Sequence, residues 1–139
     1  EVRAAAGGRR ALVVLVDGAP RPRAEFAAEV MRTGGFNVET ADGLQDAEAV
    51  VAAVRQARAA ALVLCARDDA YPAMVPQVVA RLGESDAALV VAGRPPGARE
   101  SWAEGVDQFI HRGTDLLAAL RHVLRHGAPQ GGERGEVSR

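Results

Sequence analysis

The chain has 139 residues and a mass of 14.5 kDa, which corresponds to one domain with a single buried core. Because 48% of the residues are apolar, the composition excludes wholesale disorder, yet no apolar run approaches the roughly 20 residues that span a bilayer. The net charge of -1 provides no field that would attract nucleic acid or an anionic membrane surface.

All 17 basic residues are arginines, so the sequence excludes a Schiff-base lysine, a P-loop and a kinase-type site. The single cysteine, Cys65, cannot form an internal disulfide. Because no secretory leader pattern is present, we expect a cytoplasmic protein. A first residue of Glu1 instead of Met is what a fragment or a processed product would show.

The first half of the chain predicts an arm followed by two rounds of strand and helix. Residues 1–10 are polar and Gly-bearing, which favours a flexible arm or linker. A Val-rich run at 11–16 is typical of a strand buried on both faces. Pro20 and Pro22 then suit the first turn of a helix that Gly34-Gly35 ends. A short alternating strand at 36–40, a turn at 42–45 and an amphipathic helix at 46–57 follow.

The second half continues the alternation. We predict strands at 60–66, 87–92 and 106–110, helices at 71–82 and 98–104, a last helix capped by Thr114 and ending near 126, and a disordered tail at 127–139. Pro76 lies four residues inside its predicted helix, so we expect that helix to start late or to bend there.

Five rounds of strand and helix predict an α/β fold: a doubly wound, five-stranded parallel sheet with helices on both faces. The second and fifth strands alternate as edge strands do, which matches the flavodoxin-like order 2-1-3-4-5. Ligands of such folds bind outside the carboxyl ends of the strands. That rule selects the loops at 17–23, 66–71 and 93–97, within a domain predicted to span residues 11–126.

These loops contain no complete catalytic set. Asp17, Asp68 and Asp69 would suit a phosphoacceptor site, but the acid at the end of the third strand and the lysine of such sites are missing, so we interpret them as solvated turn residues. Cys65 fits a small buried core residue better than a nucleophile. His122 and His126 are four residues apart, but no partner completes a metal site, so we assign no metal ligand and no catalytic residue.

Several segments resemble the cobalamin-binding domain of acyl-CoA mutases, in particular that of methylmalonyl-CoA mutase. The resemblance covers residues 11–126. It is carried by the segments Gly35-Phe36-Asn37-Val38, Met74 to Leu82 (MVPQVVARL), Ala88 to Gly93 (ALVVAG), Gly105 to Ile110 (GVDQFI) and Gly113-Thr114-Asp115.

The functional motifs of that family are substituted here. The family has D-x-H-x-x-G after the first strand, S-x-L after the third and G-G after the fourth, and its His coordinates cobalt. Those positions fall on Gly18, Pro20 and Arg23, on Cys65 and Arg67, and on Gly93 and Arg94. Proline offers no lone pair to cobalt, and the resemblance implies that arginines at the small positions fill space of the corrin and its nucleotide tail.

The resemblance therefore implies a degenerate copy of the domain, as in the small, non-catalytic subunit of heterodimeric methylmalonyl-CoA mutases. Its partner would be a catalytic mutase subunit or barrel domain, in an adenosylcobalamin-dependent isomerase. Two alternatives remain: a domain that holds a corrinoid without a protein His ligand, and an unrelated flavodoxin-like signalling domain.

Few large apolar residues fall outside the predicted core. Tyr71, Trp102 and Phe109 are the candidates for a partner surface. Trp102 is interpreted as a cover for the end of the sheet. As an alternative, Trp102 would join Arg67, Arg94 and Arg99 in a contact with a partner or an anionic ligand.

Overall fold

The computed structural model describes residues 9–83, 87–93, 101–111 and 116–126. Five parallel strands form one sheet in the order β2-β1-β3-β4-β5. The strands are β1 (Arg10–Val16), β2 (Asn37–Leu44), β3 (Ala61–Cys65), β4 (Ala88–Ala92) and β5 (Gln108–Ile110). The predicted flavodoxin-like order is confirmed, with β2 and β5 at the two edges.

Within the described residues, four helices and two short 3-10 turns accompany the strands, and the last helix follows β5. The helices are α1 (Arg21–Thr33), α2 (Ala47–Ala57), α3 (Tyr71–Leu82) and α4 (Leu116–His126), and the 3-10 turns are Asp68–Ala70 and Ser101–Ala103. Asp46 caps α2 by accepting a hydrogen bond from the Ala49 N–H. In the part of the chain that the structure describes, no helix is both long and apolar enough to cross a membrane.

The sheet separates two hydrophobic layers because successive side chains of each strand point to opposite faces. On one face, α1 and α4 pack over the side chains of Val13, Val63 and Val90. On the other face, α2, α3 and the 3-10 turn at Trp102 pack over Leu64. Within the described residues, no polar or charged residue is buried, so the polar groups of any site must lie at the edges of the sheet.

The element boundaries differ from the predictions in three places. β2 extends to Leu44, so the predicted turn at 42–45 is mostly strand, because Asp42 pairs with Leu15 and Leu44 with Val16 of β1; the register shifts between these two pairs, at Gly43, whose φ is +76. β1 begins at Arg10, inside the predicted arm. The β5 strand begins only at Gln108. Before it, the Val106 N–H donates to the Ala103 carbonyl and the Asp107 N–H donates to the Leu89 carbonyl.

Pro76 lies inside α3, yet the helix begins at Tyr71, so the expected late start is wrong. An interior proline costs roughly 3 kcal/mol of helix stability. The helix persists because Tyr71, Val75, Val78 and Leu82 are buried against the sheet and outweigh that cost.

Some predictions lie on residues outside the described ranges. They concern most of the arm at 1–10, the tail at 127–139, the Thr114 cap and the start of the predicted helix at 98–104, of which Ser101–Ala103 is a 3-10 turn. Arg94, Arg99 and the side chain of His126 also lie outside them.

Candidate functional site at the carboxyl edge of the sheet

The carboxyl ends of β1, β3 and β4 meet at one edge of the sheet, where the order reverses between β1 and β3. In open α/β sheets this reversal opens a crevice in which ligands bind. The first turn of α1, the loop after β3 and the end of β4 surround that crevice here.

Arg23, in the first turn of α1, reaches across the end of the sheet. Its Nη1 donates one hydrogen bond to the Ala66 carbonyl at 2.7 Å and another to Oδ1 of Asp68 at 2.9 Å. The Arg23 side chain is 22% exposed, whereas Asp68 is 45% exposed. The arginine that the sequence places at a small position of the motif is therefore fixed to the loop after β3.

Gly93 directly faces this arginine. A methyl group added at Gly93 would lie 3.0 Å from Cζ and 3.2 Å from Nη1 of Arg23, which is closer than side-chain carbons normally approach. Gly93 also has φ +123, a conformation that favours glycine, and its N–H donates to the Ile110 carbonyl at 2.7 Å. A glycine is required at this position both for its backbone conformation and for the close approach of Arg23.

Tyr71 closes the crevice from the opposite face of the sheet. Its hydroxyl accepts a hydrogen bond from the Ala66 N–H at 3.0 Å and donates one to the Ala92 carbonyl at 2.6 Å. The side chain is fully buried, and burial raises its pKa above the usual value. One neutral phenol therefore ties the end of β3 to the end of β4.

Cys65 ends β3 with no exposed surface. Burial raises the pKa of its thiol to about 12, although the Arg23 cation works in the opposite direction. A thiol with so high a pKa is not a nucleophile at neutral pH. The prediction of a small buried core residue is confirmed.

The other predicted positions are only partly brought together. Arg67 packs beside Gly18, where an added methyl group would lie 3.4 Å from its Cδ, and its Nη2 donates to Asp69 at 2.7 Å. Pro20 is exposed at the start of α1. Thus Arg23 lies against Gly93, and Arg67 lies against Gly18. Arg94 lies outside the described residues.

A small cavity of about 240 Å³ remains beside Arg23. It is bounded by Pro22, Phe26, Gly93, Ile110 and His111, among others. Its walls are mainly apolar, with the Arg23 guanidinium as the fixed charge. Ligand pockets for drug-sized molecules usually range from about 300 to 1,000 Å³, so the cavity admits only a small group.

The aromatic residues near this edge belong to the core. Trp102 is 9% exposed and stacks on Tyr71 with ring centroids 6.3 Å apart, while Phe109 meets its edge at 6.4 Å. Trp102 therefore covers the end of the sheet. Arg94 and Arg99, which the alternative contact with a partner or an anionic ligand also needs, lie outside the described residues. The assignment of Tyr71 to a surface is wrong, because packing on Trp102 and two backbone bonds bury it.

In the part of the chain that the structure describes, which leaves out the side chain of His126, no group of three His, Cys, Asp or Glu side chains could hold a metal ion. His122 Nδ1 lies 3.0 Å from Oε1 of Gln108 and so links α4 to β5.

Two features of the site escaped the sequence analysis. Asp68 is exposed in the 3-10 turn after β3, as the interpretation of a solvated turn acid predicts, but it also pairs with Arg23, and no local pattern indicates that contact. Tyr71 could have been found, because it begins the inward stripe that continues through Val75, Val78 and Leu82.

No family model matches the chain. The methylmalonyl-CoA mutase small subunit of Porphyromonas gingivalis is 29% identical to it over 99 residues. The match covers 71% of this chain but 16% of that subunit, so the chain spans about a sixth of the relative's length. The similarity supports a distant relationship between this chain and one part of that subunit.

Proposed function

We propose that this chain is a non-catalytic module of an acyl-CoA mutase of the methylmalonyl-CoA mutase type. It acts as a structural or interaction module for a catalytic subunit or barrel domain, and the pair forms a heterodimer. The observation that carries the proposal is the similarity to a mutase small subunit over 71% of the chain, in a chain that folds as a flavodoxin-like sheet.

The residues at the carboxyl edge support a module that does not use cobalamin in the family's way. By the family resemblance, Pro20 takes the position of the cobalt-coordinating His, and a prolyl nitrogen within the chain has no lone pair to donate. Arg23 stands at a glycine position and is held by Ala66 and Asp68. These residues do not fit a His-ligated corrinoid whose nucleotide tail would enter beside Gly93.

Two groups described at this edge, a thiol and a phenol, are not available for acid–base or nucleophilic catalysis. Cys65 and Tyr71 are buried with raised pKa values, so neither ionises near neutral pH. In this proposal the module folds, binds the catalytic chain and stabilises it.

A titration of the purified chain with hydroxocobalamin and adenosylcobalamin tests the cofactor part of the proposal. We expect no spectral change and no heat of binding up to about 100 μM, which limits the binding free energy to about -5.5 kcal/mol. Tight binding with a base-on or water-ligated spectrum would instead support a domain that holds the corrinoid without a protein His.

Mixing the chain with the catalytic acyl-CoA mutase subunit of the same organism tests the partner part. We expect one complex of defined stoichiometry in analytical ultracentrifugation, with a flavodoxin of the same organism as the matched control for fold. If the chain sediments alone at tens of micromolar of both proteins, its role as a mutase module is wrong.

A further inference from the structure

We propose that Arg23 is the permanent occupant of the crevice at the carboxyl edge, an intramolecular substitute for a bound ligand. This proposal stands on hydrogen bonds within the described residues and does not depend on the proposed function. It assigns to Arg23 a task that the fold usually leaves to a small molecule: to fill the crevice and to satisfy the backbone that lines it.

The first argument comes from the backbone groups at the end of β3. The Ala66 N–H donates to the Tyr71 hydroxyl, and the Ala66 carbonyl accepts from Nη1 of Arg23. The two partners come from opposite faces of the sheet, since Tyr71 begins α3 and Arg23 lies in α1. Both polar groups of Ala66, which elsewhere in such folds would be open to a ligand, are thus satisfied by side chains of the same chain.

The second argument is steric. The guanidinium lies so close to Gly93 that a methyl group there would have to push it aside by a few tenths of an ångström, so arginine and glycine fill the space jointly. The cavity that remains, about 240 Å³, lies between this guanidinium and the apolar side chains of Phe26 and Ile110. A ligand between the ends of β3 and β4 would have to displace Arg23, whereas a second cavity of about 530 Å³, beside Asp17, Asp46 and Ala70, is not lined by it.

The third argument is electrostatic. Asp68 balances the charge of Arg23 at 2.9 Å, so the cation has its counter-ion in the crevice before any ligand arrives. An incoming anion would compete with Asp68, and an incoming cation would meet Arg23 itself. The crevice therefore binds one chemical group well, the planar guanidinium that already lies there. This group donates hydrogen bonds to a carbonyl and to a carboxylate at the same time.

The test is chemical rescue of Arg23→Ala with ethylguanidinium, which replaces the atoms that the substitution removes. We expect R23A to melt roughly 5–10 °C below the wild type. Millimolar ethylguanidinium should raise its melting temperature by about 3–6 °C and leave the wild type unchanged, because ligands stabilise only the state that binds them. Ethylammonium, which lacks the planar fork, should not rescue.

Arg21→Ala is the matched control, because Arg21 lies two residues earlier in α1 and pairs with Asp42 while 67% exposed. We expect R21A to melt near the wild type and to gain nothing from ethylguanidinium. Equal melting temperatures for R23A and R21A, or an equal response of the two variants to ethylguanidinium, would overturn the proposal.

A measurement on the wild type keeps the proposal testable if R23A fails to fold. Nitrogen-15 spectra of the arginine side chains should contain one guanidinium with hindered rotation and slowly exchanging Nη hydrogens, which disappears in Arg23→Lys. Rapid rotation of every arginine in the wild type would show that the crevice is not held in this way. Neither result depends on the corrinoid titration, so the two proposals can fail separately.

Discussion

The carboxyl ends of the strands form the carboxyl edge of the sheet, and their amino ends form its amino edge. At both, an arginine side chain donates a hydrogen bond to a backbone carbonyl, but the surroundings differ. At the carboxyl edge, Arg23 is 22% exposed and reaches the end of β3. At the amino edge, Arg10 donates to the Ala57 carbonyl and Arg55 to the Arg81 carbonyl, each at 2.9 Å and each exposed. Hydrogen bonds of similar length therefore contribute different amounts to the free energy of unfolding at the two edges.

The amino edge is built from helix ends. Ala57 ends α2, and Arg81 lies in the last turn of α3, so the arginines neutralise the negative ends of two helix dipoles. Water can replace such exposed donors at small cost. At the carboxyl edge the Ala66 carbonyl is buried, so water cannot replace Arg23 there without opening the sheet, whereas the bond to the exposed Asp68 is open to water. Arg23 therefore differs from Arg10 and Arg55 in the burial of the carbonyl to which it donates, and not in the length of its hydrogen bond.

The largest effect is expected for Tyr71→Phe, which keeps the ring on Trp102 but removes the hydroxyl. The Ala66 N–H and the Ala92 carbonyl then lose their partner inside the protein. We expect urea denaturation to show a loss of about 3 kcal/mol in the free energy of unfolding. A loss below about 1 kcal/mol would mean that water reaches this edge, and the contrast between the edges would disappear.

Gly93→Ala should cost about 2 kcal/mol, because the added methyl group meets Arg23 and the backbone has φ +123. Gly43→Ala is the matched control: its φ is +76, but no atom lies within 4 Å of the added group. The excess cost at Gly93 measures the contact with Arg23, and urea denaturation of G93A in the R23A background should show most of that excess removed. If the excess cost of Gly93→Ala stays the same in the R23A background, the added methyl group meets a residue other than Arg23.

Alkaline pH should weaken the carboxyl edge and leave the amino edge intact. Burial raises the pKa of Cys65 from 9.0 to about 12 and also raises that of Tyr71, so the unfolded chain releases these protons first. The contribution of these two groups to the free energy of unfolding is complete below pH 9. Between the unfolded and the folded pKa of each group, its contribution falls by about 1.4 kcal/mol per pH unit. Urea denaturation from pH 8 to 10.5 measures this slope, which Cys65→Ala should reduce; an unchanged slope in that variant would contradict the assignment.

The smallest effects belong to the amino edge. Arg10→Ala and Arg55→Ala should each lower the free energy of unfolding by about 0.5 kcal/mol, since each removes one exposed bond to a helix end. Thermal denaturation at low and high salt should show that this small loss shrinks further as salt screens the dipole. A loss as large as that of R23A would mean that exposure does not separate the two edges.

Much of the fold could be predicted because its signals are local. The continuous apolar runs at 11–16, 60–66 and 87–92 correspond to the three central strands, and the alternating runs correspond to the two edge strands. The boundaries of β2 were less predictable, because its second half, ADGL, has turn-like residues that pairing with β1 nevertheless holds as strand. Pairing depends on a neighbour that the local sequence does not contain.

The candidate site could be predicted only in part. The sequence places Arg23, Cys65 and Gly93 at one edge, because the carboxyl ends of parallel strands meet there. It could not show that Arg23 lies against Gly93, nor that Asp68 is its counter-ion, since 45 residues separate the pair. Side-chain direction at a loop depends on which acceptors packing leaves open.

The sequence by itself determined the layering, the strand order and the residue types at the carboxyl edge, because hydrophobic periodicity and chain connectivity act over short distances. Only the tertiary structure decided that Trp102 is a core residue and that, among the arginines the structure describes, Arg23 reaches the Ala66 carbonyl at the crevice. All arginines carry the same charge and the same donors. What distinguishes Arg23 is a buried carbonyl, a carboxylate and a glycine brought within its reach by the folding of three distant segments.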